Sequence, residues 1–183
     1  MQIVENLIEE EYYKYIKEFL LGDTMPWYWN ESTVTHAEDI YQFTYSIIHK
    51  EDELISPEGW CLELVAHIIK GAGLQNAKVT RAKLNLLPRQ PYTKNKLKET
   101  KHQDTEDTFS KTILYYLNDS DGDTVFYNED GTETYITPKA NTAVIFNSNI
   151  WHRSTPPRIN KKRVVLNVMY IDEDIYNSLG SNP

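Results

Sequence analysis

The sequence predicts a mainly β protein of the α+β kind, an antiparallel barrel or jelly roll with N-terminal helices packed on one outer face. Three observations predict it. Two helical patterns occupy roughly residues 1–75. From about residue 77 to 171 the texture becomes short β-branched and aromatic runs separated by turn residues. Two of those runs alternate between an apolar and a polar side, as strands with one face on a core do.

The first helical pattern runs through Val4, Leu7, Ile8, Tyr12, Tyr15, Ile16 and Phe19 and ends near Gly22. The second starts with Ser56 as N-cap, Pro57 in the first helical position and Glu58 in the first turn. It runs to about Lys70 and stops at Gly71 and Gly73. Six strands follow: Val79–Leu87, Thr112–Leu117, Thr124–Tyr127, Thr134–Thr137, Thr142–Phe146 and Arg163–Ile171. Asp121-Gly122 and Asp130-Gly131 supply turns. No repeat or low-complexity linker divides the chain, so residues 1–183 read as a single domain.

Alternation says more about two of the strands. In the last one, Val164, Leu166, Val168 and Tyr170 form an apolar back suited to packing under a helix. Arg163, Val165, Asn167 and Met169 form the other side. In the first, Ala82, Leu84 and Leu86 are apolar, while Arg81, Lys83, Asn85 and Leu87 share the front. Apolar backs with polar fronts fit a sheet whose inner face lines a ligand cavity; solvent on that face is the alternative.

Composition narrows the function classes. Hydrophobic content of 40% and charged content of 25% are ordinary for a water-soluble domain. No apolar run approaches the roughly 20 residues of a membrane helix. The acidic, tyrosine-rich N-terminus lacks the pattern of a signal peptide, and Cys61 is the one cysteine, so a cytoplasmic setting is expected. A net charge of −8 argues against broad electrostatic binding to nucleic acid or anionic membrane. Ten bases nevertheless cluster in two segments: Arg89, Lys94, Lys96, Lys98 and Lys101, then Arg153, Arg158, Lys161, Lys162 and Arg163.

Two histidines and one carboxylate on one face of an iron leave positions open for a cosubstrate and dioxygen. The His-x-acid pair that supplies two such ligands occurs three times: His36-Ala37-Glu38, His49-Lys50-Glu51 and His102-Gln103-Asp104. Context separates them. His152 follows the strand that ends at Phe146, and eleven residues later Arg163 opens the next strand on its polar side. An Arg there can grip a carboxylate with two parallel hydrogen bonds. His67 has Lys78 at a similar offset but lies in mid-helix, where packing is the simpler explanation. Only His102, Asp104, His152 and Arg163 complete the set.

Six segments carry a family resemblance: "RAKLNLLPR" (Arg81–Arg89), "HQD" (His102–Asp104), "TILYYLN" (Thr112–Asn118), "DGDTVFY" (Asp121–Tyr127), "VIFNSNIWH" (Val144–His152) and "KRVVLNVMY" (Lys162–Tyr170). In this order the chain resembles the Fe(II)/2-oxoglutarate-dependent oxygenases, in particular the prolyl-4-hydroxylase-like branch, and looks closer still to the small phage-encoded members. The resemblance implies a double-stranded β-helix, the cupin-like jelly roll, over residues 77–171. It implies Fe(II) on His102, Asp104 and His152, and the C5 carboxylate of 2-oxoglutarate on Arg163; Tyr115 matches a tyrosine that often bonds the same carboxylate, with a core aromatic as the alternative. It places Asn85 near the C1 carboxylate, although Leu87 stands where many relatives have a tyrosine. It leaves ascorbate open as a reductant. Asp104, being a carboxylate, disfavours the halogenase variant. The implied reaction converts 2-oxoglutarate to succinate and carbon dioxide while a substrate C–H bond is oxidised; for a phage protein the location is the host cytoplasm.

The substrate is less legible. If the two basic segments flank the cavity mouth, an anionic substrate is expected: nucleic acid, a phosphorylated metabolite or an acidic peptide. Solvated loops without a binding role are the alternative. Trp27, Tyr28 and Trp29 suit a core edge better than a groove. Asp119–Asp123 lacks the Gly and Glu of a calcium loop and reads as a turn. A non-catalytic cupin-like binding module is the second function class, and it leaves Arg163 unexplained.

Overall fold

The computed structural model describes residues 1–34, 40–49, 53–54 and 58–180. Along the chain lie β1 (Gln2–Glu5), α1 (Glu10–Leu21), β2 (Tyr28–Asn30), β3 (Gln42–His49), β4 (Glu53–Leu54), α2 (Gly59–Gly71), β5 (Ala77–Pro88) and α3 (Lys94–Glu99). Then come β6 (Lys111–Tyr116), β7 (Thr124–Tyr127), β8 (Glu133–Ile136), β9 (Thr142–Asn147), β10 (His152–Ser154), β11 (Lys162–Asp172) and α4 (Glu173–Gly180). The main sheet runs β1-β9-β6-β11-β5-β3-β2, with β4 paired to β3, and the second sheet is β10-β7-β8. All pairings are antiparallel. The predicted class therefore holds: a mainly β jelly roll with two sheets and helices against one of them.

The helices cover the back of the main sheet because their apolar stripes have nowhere else to go. Tyr13, Ile16 and Leu20 of α1 and Cys61, Leu64, Val65 and Ile68 of α2 repeat at helical spacing and are buried. They share one core with Ala82, Leu84 and Leu86 of β5 and Val164, Leu166, Val168 and Tyr170 of β11, the apolar backs read from the sequence. A smaller core of Leu114, Tyr116, Phe126, Val144, Phe146 and Val165 fills part of the space between the two sheets. The polar fronts of β5 and β11 face the rest of that space.

The N-terminus differs from expectation. Val4 belongs to β1, paired with Ala143 of β9, and α1 begins only at Glu10. Asn6 breaks the helical run with a φ of 50°, a conformation asparagine tolerates better than most residues. The chain then passes so close to the end of α2 that a Cβ on Gly71 would sit 2.0 Å from the carbonyl oxygen of Leu7. Glycine is the residue that permits this crossing. Helix α2 has Glu58 at its N-cap; the predicted cap, Ser56-Pro57, lies outside the described residues.

Candidate metal centre

His102 and His152 are far apart in sequence and are joined by backbone. Each donates its N–H to the other's carbonyl at 2.9 Å, forming an isolated antiparallel bridge. Their rings end 4.5 Å apart, centroid to centroid. Asp104 follows two residues on, its backbone N–H fixed to the Ser148 carbonyl at 2.9 Å. One ligand atom from each of His102, Asp104 and His152 lies within 4.8 Å of the others.

Hydrogen bonds aim the side chains. The Nδ1 of His102 meets the Thr100 carbonyl at 2.9 Å, and that of His152 meets the Ile150 carbonyl at 2.8 Å. A carbonyl only accepts, so each ring must be protonated at Nδ1, which leaves the Nε2 lone pair for another partner. Locking the tautomer through an outer hydrogen bond is how metal-binding histidines are commonly prepared. Burial pulls His152 down to about 4, against the nearby Asp104, so it is neutral near neutral pH, the form that ligates.

Asp104 is almost fully enclosed. Thr112 Oγ1 donates to it at 2.8 Å, Asn167 Nδ2 reaches both oxygens at 3.3 Å, and Arg81 forms an ion pair with it. Burial pushes its carboxyl up, but Arg81, the two histidines and the Thr112 bond outweigh burial and hold it below the usual carboxylate range. The carboxylate is thus ionised and pre-oriented, with a donor set of two imidazoles and one carboxylate that fits a divalent transition metal. Thr112 also meets Ser148 Oγ at 2.8 Å, tying Asp104 to the turn that precedes His152.

A cavity of about 170 Å³ joins this cluster to Arg163, with Asn85, Leu87, Leu114 and Val165 in its wall. Arg163 is 2% exposed and donates from Nη2 to Thr124 Oγ1 at 2.7 Å, while its Nε has no partner. Its guanidinium lies 5.7 Å from the centre of the Tyr116 ring. Burial lowers its pKa, opposed by Tyr116 and Asp123, yet a guanidinium stays charged. Asp123 directs its carboxylate elsewhere, accepting from Thr137 at 2.8 Å. A buried, incompletely hydrogen-bonded cation among the residues that line a cavity fits a carboxylate-bearing ligand.

Tyr115 is a correction. Strand side chains alternate, and β6 turns Thr112 and Leu114 toward the cavity, so Tyr115 faces the helices instead. Its hydroxyl donates to Asn141 Oδ1 at 3.1 Å, and Asn141 in turn bonds the backbone of Ile8. Tyr115 pins the N-terminal crossing, and Tyr116 is the tyrosine beside Arg163. Asn85 does reach the cavity wall, from one strand further along the sheet.

Sequence reasoning missed Arg81, Lys83, Thr112 and Thr124 as site residues. Alternation had already placed Arg81 and Lys83 on the front of β5; what was missing was that Asp104 lies across from them. Of the decoys, His49 is exposed at the end of β3, while Lys50, Glu51 and the His36-Ala37-Glu38 triplet lie outside the described residues. His67 stacks on Tyr12 with ring centroids 3.8 Å apart. The 119–123 turn holds no calcium-type cage: Asp121 accepts the backbone N–H groups of Arg158, Ile159 and Asn160. Trp27 packs against the main core, while Tyr28 and Trp29 are more than half exposed.

The two basic segments do meet. Arg89 donates its backbone N–H to Lys161 at 2.8 Å, and Arg158 Nε bonds the Tyr92 hydroxyl at 2.9 Å. No helix among the described residues is long and apolar enough to cross a membrane.

Residues 91–171 match the model of the 2OG-Fe(II) oxygenase superfamily. No curated protein matches the chain in sequence. Among solved structures it is similar to an oxidoreductase of the 2OG-Fe(II) oxygenase family from Burkholderia pseudomallei, with a TM-score of 0.68 at 13% identity over 91% of this chain and 82% of that one. A Trichoplax adhaerens prolyl hydroxylase, solved with a hypoxia inducible factor peptide, gives 0.65 at 16% identity over 99% and 87%. A Pseudomonas putida prolyl-4-hydroxylase gives 0.58 at 17% over 93% and 91%. At these identities the likeness speaks to the fold, a jelly roll of the same kind.

Proposed function

We propose, from the match of residues 91–171 to the 2OG-Fe(II) oxygenase superfamily model and the site described above, that the chain is a member of that superfamily and a 2-oxoglutarate-dependent dioxygenase that hydroxylates a substrate C–H bond. His102, Asp104 and His152 hold Fe(II), and Arg163 holds the C5 carboxylate of 2-oxoglutarate. One observation carries this reading: a tautomer-locked His-Asp-His cluster and a buried, under-partnered Arg163 share one cavity. Neither a structural ion pair nor a pure binding module calls for both.

When bound, iron and 2-oxoglutarate supply the oxidation: one oxygen atom of dioxygen enters the C–H bond, the other enters the succinate formed as carbon dioxide leaves. The chain's own residues bind and orient. Thr112, Asn167 and Arg81 keep Asp104 ionised and immobile, Thr100 and Ile150 fix the histidine rings, and Thr124 fixes Arg163. Arg163 and Asn167 stand four residues apart on β11, roughly 13 Å of strand. A short dicarboxylate therefore fits with one end on the guanidinium and the other toward the His-Asp-His cluster. Leu87, Leu114 and Val165 in the wall keep water out of this space.

Anaerobic dialysis against Fe(II) tests the assignment. One metal per chain is expected, falling to background in His152→Ala. No bound metal in the wild type, or full binding by the variant, defeats it.

A further inference from the structure

Beside the small cavity lies a larger one of about 900 Å³, and Arg81, Lys83 and Asp104 line both. One wall of the larger cavity carries hydroxyls, from Thr44, Ser46 and Thr80; the other is apolar, with Met169, Tyr176 and Leu179. Tyr176 and Leu179 come from α4 and are partly exposed, at 36% and 49%. The volume suits a small organic molecule.

Apart from Arg163, assigned above to the cosubstrate, the charged groups around the two cavities have partners, with one exception. Asp104 and Arg81 pair with each other. Asp107 accepts from Thr105, Phe109 and Ser110 within its own turn. Arg153, at the far end of the small cavity, bonds the Tyr127 hydroxyl and lies 3.5 Å from Glu133. The Lys83 ammonium has no hydrogen bond or ion pair among the described residues. It is half-buried on the front of β5, opposite Asn167 on one side and Ser46 on the other. A half-buried ammonium without a partner carries a desolvation cost that an anion would offset.

We infer that Lys83 binds an anionic group, a carboxylate or a phosphate, of a small amphipathic substrate lodged in the larger cavity. Position separates this from the cosubstrate. Arg163 pairs in register with Leu87, four residues along β5 from Lys83, and of the two cations only Lys83 also lines the larger cavity. The hydroxyl wall and the apolar wall then take the polar and hydrocarbon parts of the molecule. The assignment rests on the proposed function only in calling the bound molecule the one that is oxidised.

The test uses the Mn(II)-loaded full chain with 2-oxoglutarate and three probes: 4-phenylbutyrate, 4-phenylbutyl phosphate and neutral 4-phenylbutanol, followed by calorimetry. At least one anion should bind about tenfold or more tighter than the alcohol, as a charge-assisted contact provides; which anion it is distinguishes carboxylate from phosphate. Lys83→Met should erase that preference while leaving alcohol binding unchanged and costing 2-oxoglutarate less affinity than it costs the anion, and Lys83→Arg should keep the preference. Equal binding of all three probes by the wild type overturns the inference without any variant. So does a preserved preference in Lys83→Met, or an equal loss of 2-oxoglutarate affinity. Failure of the iron reading is seen separately, as a wild type that binds neither Mn(II) nor 2-oxoglutarate, and the probe comparison can still be made on that protein.

Discussion

Arg163→Met is the perturbation with the most informative pair of signs. Arg163 is 2% exposed, bonds Thr124 and lies against Tyr116, and has an unpartnered Nε. Removing one member of a buried ion pair costs about 3–5 kcal/mol. At about 1.36 kcal/mol per tenfold, the dissociation constant of 2-oxoglutarate should rise by roughly two to four orders of magnitude. The cosubstrate-free protein should respond in the opposite direction. There the arginine is a buried charge with little compensation, and methionine fills comparable space without it, so the melting temperature should stay level or rise. Calorimetry of 2-oxoglutarate at saturating Mn(II), with thermal melts with and without it, reads both signs. Affinity within threefold of wild type would refute the reasoning. Destabilisation of the free protein with unchanged affinity would refute it too, since that is how a structural arginine behaves.

Two further outcomes follow from the site and its supports. Thr112→Val removes the hydroxyl that joins Asp104 to Ser148, and metal affinity should fall about 10–100-fold with little change in fold, as loss of an outer hydrogen bond does; Fe(II) dialysis checks this, and unchanged affinity counts against it. Asp121 is held below the usual carboxylate range because three backbone N–H bonds, from Asn160, Ile159 and Arg158, outweigh the burial that raises it. Its folded pKa is the lower one, so its stabilisation is complete above the ordinary carboxylate pKa and is lost as pH falls through the folded value. Asp121→Asn should therefore cost roughly 1–2 kcal/mol near pH 7, after allowance for partial exposure, and progressively less toward pH 2. A pH series of urea melts reads it, and a pH-independent difference contradicts it.

How much of this was legible depended on whether the signal was local. The backs and fronts of β5 and β11 follow from period-2 alternation alone, and both the core and the cavity wall agree with it. The same rule, applied to β6, would have turned Tyr115 away from the cavity and Tyr116 toward Arg163. Strand β3 escapes notice because its alternation is interrupted between Ser46 and Ile48, where its register with β5 shifts. Strand β10 is three residues long and begins at His152, whose bridge to His102 closes a loop of fifty residues; no local propensity announces it. The Arg81–Asp104 pair and the Thr112–Ser148 tie are likewise products of sheet pairing. Val4 was misleading in the other direction, continuing a helical period that the backbone at Asn6 ends. The His-x-acid pattern, which fires three times, could be resolved from sequence only by adding Arg163, and the cavity that contains both supports that choice.

The most direct measurement is succinate formed from 2-oxoglutarate by the purified full chain with Fe(II) and dioxygen, wild type beside His102→Ala. Metal-dependent succinate is expected from the wild type, with carbon dioxide in equal amount, and loss to background in the variant even though its fold persists. No succinate from the iron-loaded wild type, or succinate at the wild-type rate from His102→Ala, would contradict it.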